Sequence, residues 1–256
     1  MMITKINNSN VLIDLPSNKL TFLDARFYRH ENGNFYPSVT TIGDAYPKGP
    51  EYYAWLKKVG EDADEIRDEA GKRGSNVHDL TERYDNGEEV NLMNEDGYIA
   101  YKMSEWAQFE RYIEFRSRFP LEVIHTELNL ISPELGCAGT LDRVININGR
   151  RILIDIKTSN AIYPFYWLQL AAYRKLLWVE CNEGVDEVGV LWLNAKTRTD
   201  GTKGAIQGLG WQLITREDTT KEWELFQATM QLWLAENGTM KPRQTTYQLS
   251  HQLNKT

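Results

Sequence analysis

The chain has 256 residues, of which 36 are acidic and 29 are basic, so its net charge is −7. A hydrophobic fraction of 41% and a charged fraction of 25% are ordinary for a globular protein and exclude fibrous and disordered classes. The acidic balance argues against a general polycationic coat for nucleic acid, although it leaves room for a local basic groove.

Several cofactors are excluded by what the sequence lacks. Two cysteines, Cys137 and Cys181, cannot supply the four thiolates of a zinc ribbon or an iron–sulfur cluster. The chain also has no Gly-rich phosphate loop ending in Lys-Ser or Lys-Thr, so we expect no bound nucleotide. Neither a stretch of about 18 apolar residues nor an apolar signal-peptide core occurs, which predicts a cytoplasmic protein without a membrane partner.

The predicted elements begin with a hairpin and continue with helices. Residues 19–40 contain two apolar runs around an Asn32-Gly33 turn, as in a β-hairpin. Apolar residues at helical spacing predict helices at about 50–59, 62–86 and 97–118. The following elements are a strand at 121–131, a hairpin of 137–147 and 151–158, a helix at 163–181, strands at 186–194 and 206–214, and a helix at 217–237.

The element order predicts a single α/β domain with a mixed central sheet flanked by helices and an N-terminal helical region. We divide residues 1–242 into an N-terminal hairpin and helices, a core, and C-terminal strands with a helix, followed by a tail. The boundaries are 1–120, 121–194, 195–242 and, for the tail, 243–256. The tail is polar, and we expect it to be loose.

One strand of the core carries two charged side chains on a single face. In the segment RILIDIKTS the isoleucines alternate with Leu153, Asp155 and Lys157, which therefore point the same way. Burying a charge is costly unless the charge is paired or binds a metal ion. An ion pair at the end of the strand and a chemical site explain Asp155 and Lys157 equally well at this point.

Asp142 lies 13 positions before Asp155, on the partner strand of the same predicted hairpin. It can share a face with Asp155 and Lys157 across the strand pair. Two carboxylates that converge on one point repel each other strongly unless a divalent cation lies between them. Oxygen ligands favour Mg²⁺ or Mn²⁺, so this pair is a candidate metal site.

The runs GTLDRV and LIDIKTS resemble the Asp…(Asp/Glu)-x-Lys core of the PD-(D/E)xK nuclease superfamily. The resemblance is to its RecB-like exonuclease branch, which includes phage-type and mitochondrial genome-maintenance exonucleases. It extends to a helical His78 in GSNVH, to Glu127 before the hairpin, and to the pair Gln169 and Tyr173 in a Gln-x-x-x-Tyr motif. With PSVTTI at residues 37–42, it covers about residues 37–175.

The resemblance implies a restriction-endonuclease-like mixed sheet and a site for one or two Mg²⁺ or Mn²⁺ ions. Its implied ligands are His78, Asp142, Asp155 and the main-chain carbonyl of Ile156. The catalytic residues would be Asp142, Asp155 and Lys157, with the lysine orienting a water or stabilising charge on the phosphoryl group. Glu127 would support a ligand, bind a second ion, or form an ion pair at the strand edge.

Four further residues are candidates for binding substrate. Gln169 and Tyr173 are four apart and share a helix face, where the resemblance implies contact with the substrate strand or support of the lysine. A purely structural role for Tyr173 in the core remains open. Arg143 and Arg73 stand next to motif positions, and we expect them to contact phosphates.

Together, these features predict a metal-dependent deoxyribonuclease, with an exonuclease acting on single strands or on duplex ends as the expected type. It would serve recombination, replication or repair, in the cytoplasm of a bacterial host if a phage encodes it. A helicase, a single-strand-binding protein or an annealing protein would be its partner. The alternatives are an inactive nuclease-fold protein that binds nucleic acid or assembles complexes, a structure-specific endonuclease, and a nuclease that acts on RNA.

Overall fold

A computed structural model describes residues 2–5, 10–14, 19–22, 25–195, 209–238, 242 and 246–248. The strands are β1 (Met2–Lys5), β2 (Asn10–Asp14), β3 (Lys19–Phe22), β4 (Ala25–Arg29), β5 (Phe35–Pro37), β6 (Leu121–Ser132), β7 (Cys137–Ile147), β8 (Arg150–Lys157), β9 (Glu187–Trp192), β10 (Gln212–Arg216) and β11 (Thr246–Gln248). The α-helices are α1 (Val39–Ile42), α2 (Pro50–Val59), α3 (Ala63–Asp85), α4 (Met103–Arg118), α5 (Pro164–Cys181) and α6 (Thr220–Asn237).

The central sheet has five strands in the order β10-β9-β8-β7-β6. Strands β8 and β9 are parallel, and the other neighbours are antiparallel, so the sheet is mixed. Helices flank this sheet and a helical region precedes it along the chain. The predicted α/β class with a mixed central sheet is therefore confirmed. Among the described residues, no helix is both long enough and apolar enough to cross a membrane.

A two-residue turn sets the register of the central hairpin. Asn148 and Gly149 both have positive φ values, 52° and 86°, as the favoured two-residue hairpin turn requires. The ladder between β7 and β8 runs from Ile147–Arg150 to Arg143–Ile154. Asp142 and Asp155 are the next residues on the two strands, so local turn chemistry brings these two carboxylates to adjacent strands.

The two faces of β8 pack against different helices. Ile152, Ile154 and Ile156 belong to a core with Val77 of α3 and with Tyr112 and Phe115 of α4. Leu153 belongs to the other core, with the apolar side of α5 and with Phe226 and Trp233 of α6. The predicted alternation of this strand is thus confirmed, and Asp155 and Lys157 lie on the same side as α5.

The N-terminal hairpin differs from the prediction at both of its ends. Lys19–Phe22 and Ala25–Arg29 are two antiparallel strands and not one continuous strand. The second arm stops at Pro37, because Ser38 caps α1 by accepting a hydrogen bond from the Thr41 amide at 3.0 Å. Helix α4 begins at Met103, six residues later than predicted.

The expectation of a loose tail is wrong for three residues. Thr246–Gln248 forms β11, which pairs antiparallel with β2 in a three-stranded sheet with β1. Backbone pairing with a strand more than 200 residues earlier leaves no local signature in the sequence. Part of the predicted strand at 206–214 lies outside the described residues, and β10 is described from Gln212 to Arg216.

Candidate metal centre

Helix α3 places His78 against the end of β8. The buried side chains of Val77 and Leu80 hold this helix on the sheet, and His78 lies between them in sequence. His78 Nε2 donates a hydrogen bond to the Ile156 carbonyl at 3.1 Å, because a carbonyl can only accept. The other ring nitrogen, Nδ1, lies 3.5 Å from Glu127 Oε1 and 3.5 Å from Asp142 Oδ1.

Glu127 reaches this position through an unusual backbone conformation in β6. Its φ is 44°, and the register of β6 against β7 shifts between Val123 and His125. The other non-glycine residues with positive φ in the described chain are Asn148 in a turn and Asn182 at a helix C-cap, where such values are ordinary. A glutamate in this region costs roughly 1–3 kcal/mol, and such strain clusters at functional sites.

Asp142 is held by the backbone of the neighbouring strand. Its Oδ2 accepts a hydrogen bond from the Ile156 amide at 2.6 Å, while Oδ1 faces His78. The residue is 7% exposed. One carboxylate oxygen is therefore used for orientation, and the other remains for a ligand.

His78, Glu127 and Asp142 each offer a ligand atom, and these atoms lie within 4.8 Å of one another. One imidazole nitrogen and two carboxylates form a donor set suited to Mn²⁺ or Mg²⁺. The Nε2 hydrogen bond to a main-chain carbonyl is the type of contact that orients metal-binding histidines. The residues present therefore fit a divalent cation.

The charges of the cluster are unbalanced without a cation. Burial lowers the pKa of His78, but the carboxylates of Asp142 and Glu127 outweigh burial and raise it to about 9. Burial, reinforced by the charges of Asp155 and Glu127, raises the pKa of Asp142 to about 7 against the opposing effect of His78. Protonation of His78 and Asp142 thus offsets negative charge that a bound divalent cation would otherwise neutralise.

Asp155 and Lys157 form an ion pair beside this cluster. Lys157 Nζ lies 2.5 Å from Asp155 Oδ2, and Asp155 is 2% exposed. Asp155 was expected to be a metal ligand, but in the structure it forms an ion pair with Lys157. Glu127 is the residue that lies beside His78 and Asp142 instead. The Ile156 carbonyl, also expected as a ligand, accepts the hydrogen bond from His78.

The Gln-x-x-x-Tyr motif supports the lysine from α5. Lys157 Nζ donates to Gln169 Oε1 at 3.0 Å, and Gln169 Nε2 donates to the Tyr173 hydroxyl at 2.9 Å. Tyr173 is only 4% exposed and packs over Gly139, where a Cβ atom would lie 2.5 Å from the tyrosine ring. Tyr173 is therefore part of the core, and contact with a substrate strand does not fit its burial.

Arg143 was expected to contact phosphates, but its side chain has no exposed surface. The guanidinium donates to Glu127 Oε1 at 3.2 Å, to Asp85 Oδ2 at 2.6 Å and to the carbonyl of Asp142 at 2.6 Å. It also donates to Thr81 Oγ1 at 3.2 Å. Four internal partners leave Arg143 unavailable to a phosphate, so the structure assigns it to the support of Glu127.

Sequence reasoning missed Asp85, which is 1% exposed and balances Arg143 from the last turn of α3. The Tyr112 hydroxyl donates to Asp85 at 2.5 Å, and Arg116 forms a further ion pair with it at 3.2 Å. A signal was available, because residues 78, 81 and 85 recur at helical spacing on one face of α3. Arg73, which was expected to contact phosphate, lies five residues before His78 in α3. It is partly buried, and its Nε has no hydrogen-bond partner.

No protein-family model matches this chain, and no curated protein matches it. Among solved structures, the chain is similar to one described as "Crystal structure of SSO0001", with a TM-score of 0.30 and 18% sequence identity. The match covers 54% of this chain and 58% of that one, so it spans less than two thirds of that protein. The functional interpretation therefore rests on the residues and geometry of the site itself.

Proposed function

We propose that this chain is a metal-dependent deoxyribonuclease that hydrolyses phosphodiester bonds, with an exonuclease acting on DNA ends as the expected type. One observation carries the proposal. His78, Glu127 and Asp142 converge on one point, and the ion pair of the buried Asp155 with the partly buried Lys157 lies beside them. A cation site next to a fixed ammonium group is the arrangement that phosphoryl transfer to water needs.

His78, Glu127 and Asp142 would hold a Mg²⁺ or Mn²⁺ ion, with Asp155 close enough to raise the pKa of Asp142. The bound ion supplies Lewis acidity, which polarises a phosphoryl oxygen and lowers the pKa of a water. The chain's own contribution is a preorganised positive charge. Lys157 is held by Asp155 and Gln169, so its ammonium group needs little rearrangement to stabilise charge that develops on the phosphoryl group.

The chemistry of Lys157 fits this role. Burial lowers the pKa of Lys157, but the nearby carboxylates of Asp155 and Asp142 outweigh burial and hold the pKa above its ordinary value. The lysine is therefore protonated throughout the physiological pH range. The protonated ammonium group is suited to act as an electrostatic stabiliser and a hydrogen-bond donor.

The test uses linear DNA, single-stranded and double-stranded, labelled at the 5′ or the 3′ end. Each substrate is incubated with Mg²⁺, with Mn²⁺ or with EDTA, beside a closed circular control and the Asp155→Ala variant. We expect metal-dependent loss of linear DNA that spares the circle and fails in the variant. The label released first gives the polarity of digestion.

The other outcomes separate the alternatives. Cutting of the closed circle would indicate an endonuclease. DNA binding without cleavage of any form, combined with no Mn²⁺ binding in calorimetry, would overturn the proposal in favour of an inactive nuclease-fold binding or assembly protein. Faster loss of an RNA strand of the same sequence would identify RNA as the substrate. Within the proposal, a helicase, a single-strand-binding protein or an annealing protein would act on the same DNA ends.

A further inference from the structure

Tyr163 is an exposed aromatic residue close to the candidate site. It is the N-cap residue of α5, in extended conformation with φ of −94° and ψ of 146°, and 51% of its surface is exposed. Other described aromatic residues are at least as exposed, among them Tyr53, Tyr98 and Trp178. Tyr163 differs from them because a chain of contacts connects it to Lys157.

That chain runs through Tyr166. Lys157 Nζ lies 4.5 Å from the centre of the Tyr166 ring, and the rings of Tyr166 and Tyr163 are 5.5 Å apart with an interplanar angle of 85°. The Tyr163 ring is therefore no more than about 10 Å from Lys157 Nζ, or about three base steps at roughly 3.4 Å each. An edge-to-face contact covers at most one face of each ring, so Tyr166 leaves a face of Tyr163 uncovered.

The segment that carries Tyr163 is held in place by the sheet. Trp192 Nε1 donates to the Ser159 carbonyl at 2.7 Å, and Asn194 Nδ2 donates to the same oxygen at 3.3 Å. Ser159 Oγ donates to the Ala161 carbonyl at 2.7 Å. Pro164 follows Tyr163 directly and restricts its backbone to the extended region. The ring thus extends from a short segment whose conformation is held by contacts within the chain.

We propose that Tyr163 stacks on an unpaired nucleobase of the strand that is cut, so that the substrate is a single strand or an end with unpaired bases. This inference rests on the proposed function, because it places the stacked base within reach of the phosphate at the site. Aromatic side chains bind single strands by stacking because every base has a π-face, and this binding tolerates all sequences.

Duplex DNA does not offer the same contact. Inside a duplex, both faces of each base are covered by its neighbours, and only the edges in the grooves are open to protein. An exposed tyrosine face can therefore engage a base that is unpaired or terminal. Stacking also supplies affinity that does not depend on the charge of the protein, which is −7 for this chain.

The experiment compares the binding of two probes to the full chain by fluorescence anisotropy, with Ca²⁺ replacing Mg²⁺ to suppress cleavage. One probe is a short oligothymidylate, and the other is an abasic strand of equal length. We expect Tyr163→Ala to weaken binding of oligothymidylate by about 5- to 150-fold and to leave the abasic strand unchanged. Tyr163→Trp should restore binding.

The control variant is Trp178→Ala, on the same helix. Trp178 is 54% exposed and lies about 22 Å farther along α5, at 1.5 Å per residue. We expect it to bind both probes like the wild-type protein. Equal binding of oligothymidylate by Tyr163→Ala and wild type would overturn the inference, and so would an equal loss on both probes.

Cleavage of the same strand by the wild-type protein with Mg²⁺ or Mn²⁺ is measured in parallel. Cleavage without any effect of Tyr163→Ala on binding removes the stacking role and leaves the proposed nuclease function in place. Tyrosine-dependent binding without cleavage removes the nuclease function and leaves the stacking role. A wild-type protein that neither binds nor cuts the strand removes both.

Discussion

Arg143 Nη1 donates a hydrogen bond to Glu127 Oε1 at 3.2 Å, which joins a cation with no exposed surface to the strained glutamate of the candidate site. The same guanidinium forms an ion pair with Asp85 at 2.6 Å. The strained backbone of Glu127 is thus compensated by a buried network that connects α3 to the sheet. The proposed metal site and the stability of the fold therefore share one side chain, Arg143.

Removal of Arg143 tests this connection. Arg143→Ala removes one of the two cations that pair with the buried carboxylate of Asp85 and removes the guanidinium partner of Glu127, so we expect a loss of up to about 3–5 kcal/mol in the free energy of unfolding. Arg143→Lys keeps the charge but cannot span the same partners, and it should retain more stability while binding Mn²⁺ more weakly. Urea unfolding and calorimetry with Mn²⁺ measure the two effects.

Arg118→Ala provides the matched control for that test. The side chains of Arg118 and its partner Glu114 are 47% and 38% exposed, and they form an ion pair at 2.8 Å one helical turn apart. A surface pair of this kind contributes at most about 1 kcal/mol, so the variant should unfold near the wild-type midpoint. Equal losses from Arg143→Ala and Arg118→Ala would show that the buried network contributes no more to stability than a surface ion pair.

Substitution of Lys157 tests the rate of cleavage separately from the affinity for DNA. We expect Lys157→Met to reduce cleavage by about 10²–10³ or more, because it removes a preorganised charge from the reacting phosphoryl group. DNA binding should change little. End-labelled DNA measures the rate, and a gel-shift assay measures the affinity.

Lys175→Met is the control for the lysine substitution. Lys175 lies on α5, the helix that also carries Gln169, and lines a cavity together with Trp178 and Trp223. Its Nζ is 6.0 Å from the centre of the Trp223 ring. Loss of this cation should leave the cleavage rate unchanged. Cleavage by Lys157→Met at the wild-type rate would remove the assigned role of this lysine.

The pKa shifts predict how pH changes the stability of the metal-free protein. The pKa of His78 is raised from 6.5 to about 9, so protonation of His78 stabilises the fold below pH 6.5, and this contribution is lost as pH rises towards 9. The pKa of Asp142 is raised from 3.8 to about 7, so protonation of Asp142 also stabilises the fold below pH 3.8, and this contribution is lost as pH rises towards 7. Thermal unfolding in EDTA should therefore give a midpoint that decreases between pH 6 and pH 9.

The divalent cation is the control for this pH dependence. A bound ion replaces the proton on His78, so saturating Mn²⁺ should raise the midpoint and flatten its decrease with pH. Measurements of His78→Asn in EDTA should also show a flatter profile. A midpoint that rises between pH 6 and pH 9 in EDTA would contradict the assigned coupling between His78 and the carboxylates.

Gly139 provides space for the tyrosine that supports the lysine. A Cβ atom there would lie 2.5 Å from Tyr173, so Gly139→Ala forces the ring to move. We expect a loss of about 1–3 kcal/mol in the free energy of unfolding, together with slower cleavage because Gln169 and Lys157 are displaced. Thermal unfolding and the labelled-DNA assay measure the two effects.

Gly71→Ala is the matched substitution at an open position. A Cβ atom at Gly71 in α3 meets nothing within 4 Å, so alanine should stabilise the helix by about 0.5–1 kcal/mol. Cleavage should not change. A Gly139→Ala protein as stable as Gly71→Ala would show that the tyrosine can move without cost.

Local sequence signals predicted the turn and the strand pairing of the central hairpin. Asn148-Gly149 predicts a two-residue turn, the turn sets the register, and the register brings Asp142 beside Asp155. The alternation of RILIDIKTS likewise predicted which residues of β8 face each core, and the structure has that arrangement. These features depend on neighbours in sequence, for which spacing is a direct guide to geometry.

The roles of Glu127, Arg143 and Asp155 could not be assigned in the same way. The positive φ of Glu127, the burial of Arg143 against α3, and the ion pair of Asp155 with Lys157 all depend on how distant segments pack. The pairing of β11 with β2 has the same origin. By itself, the sequence determined the class of the sheet, its central register and the residue types at the site. The tertiary structure alone decided which charges meet, because the energy of a buried charge depends on partners that are far away along the chain.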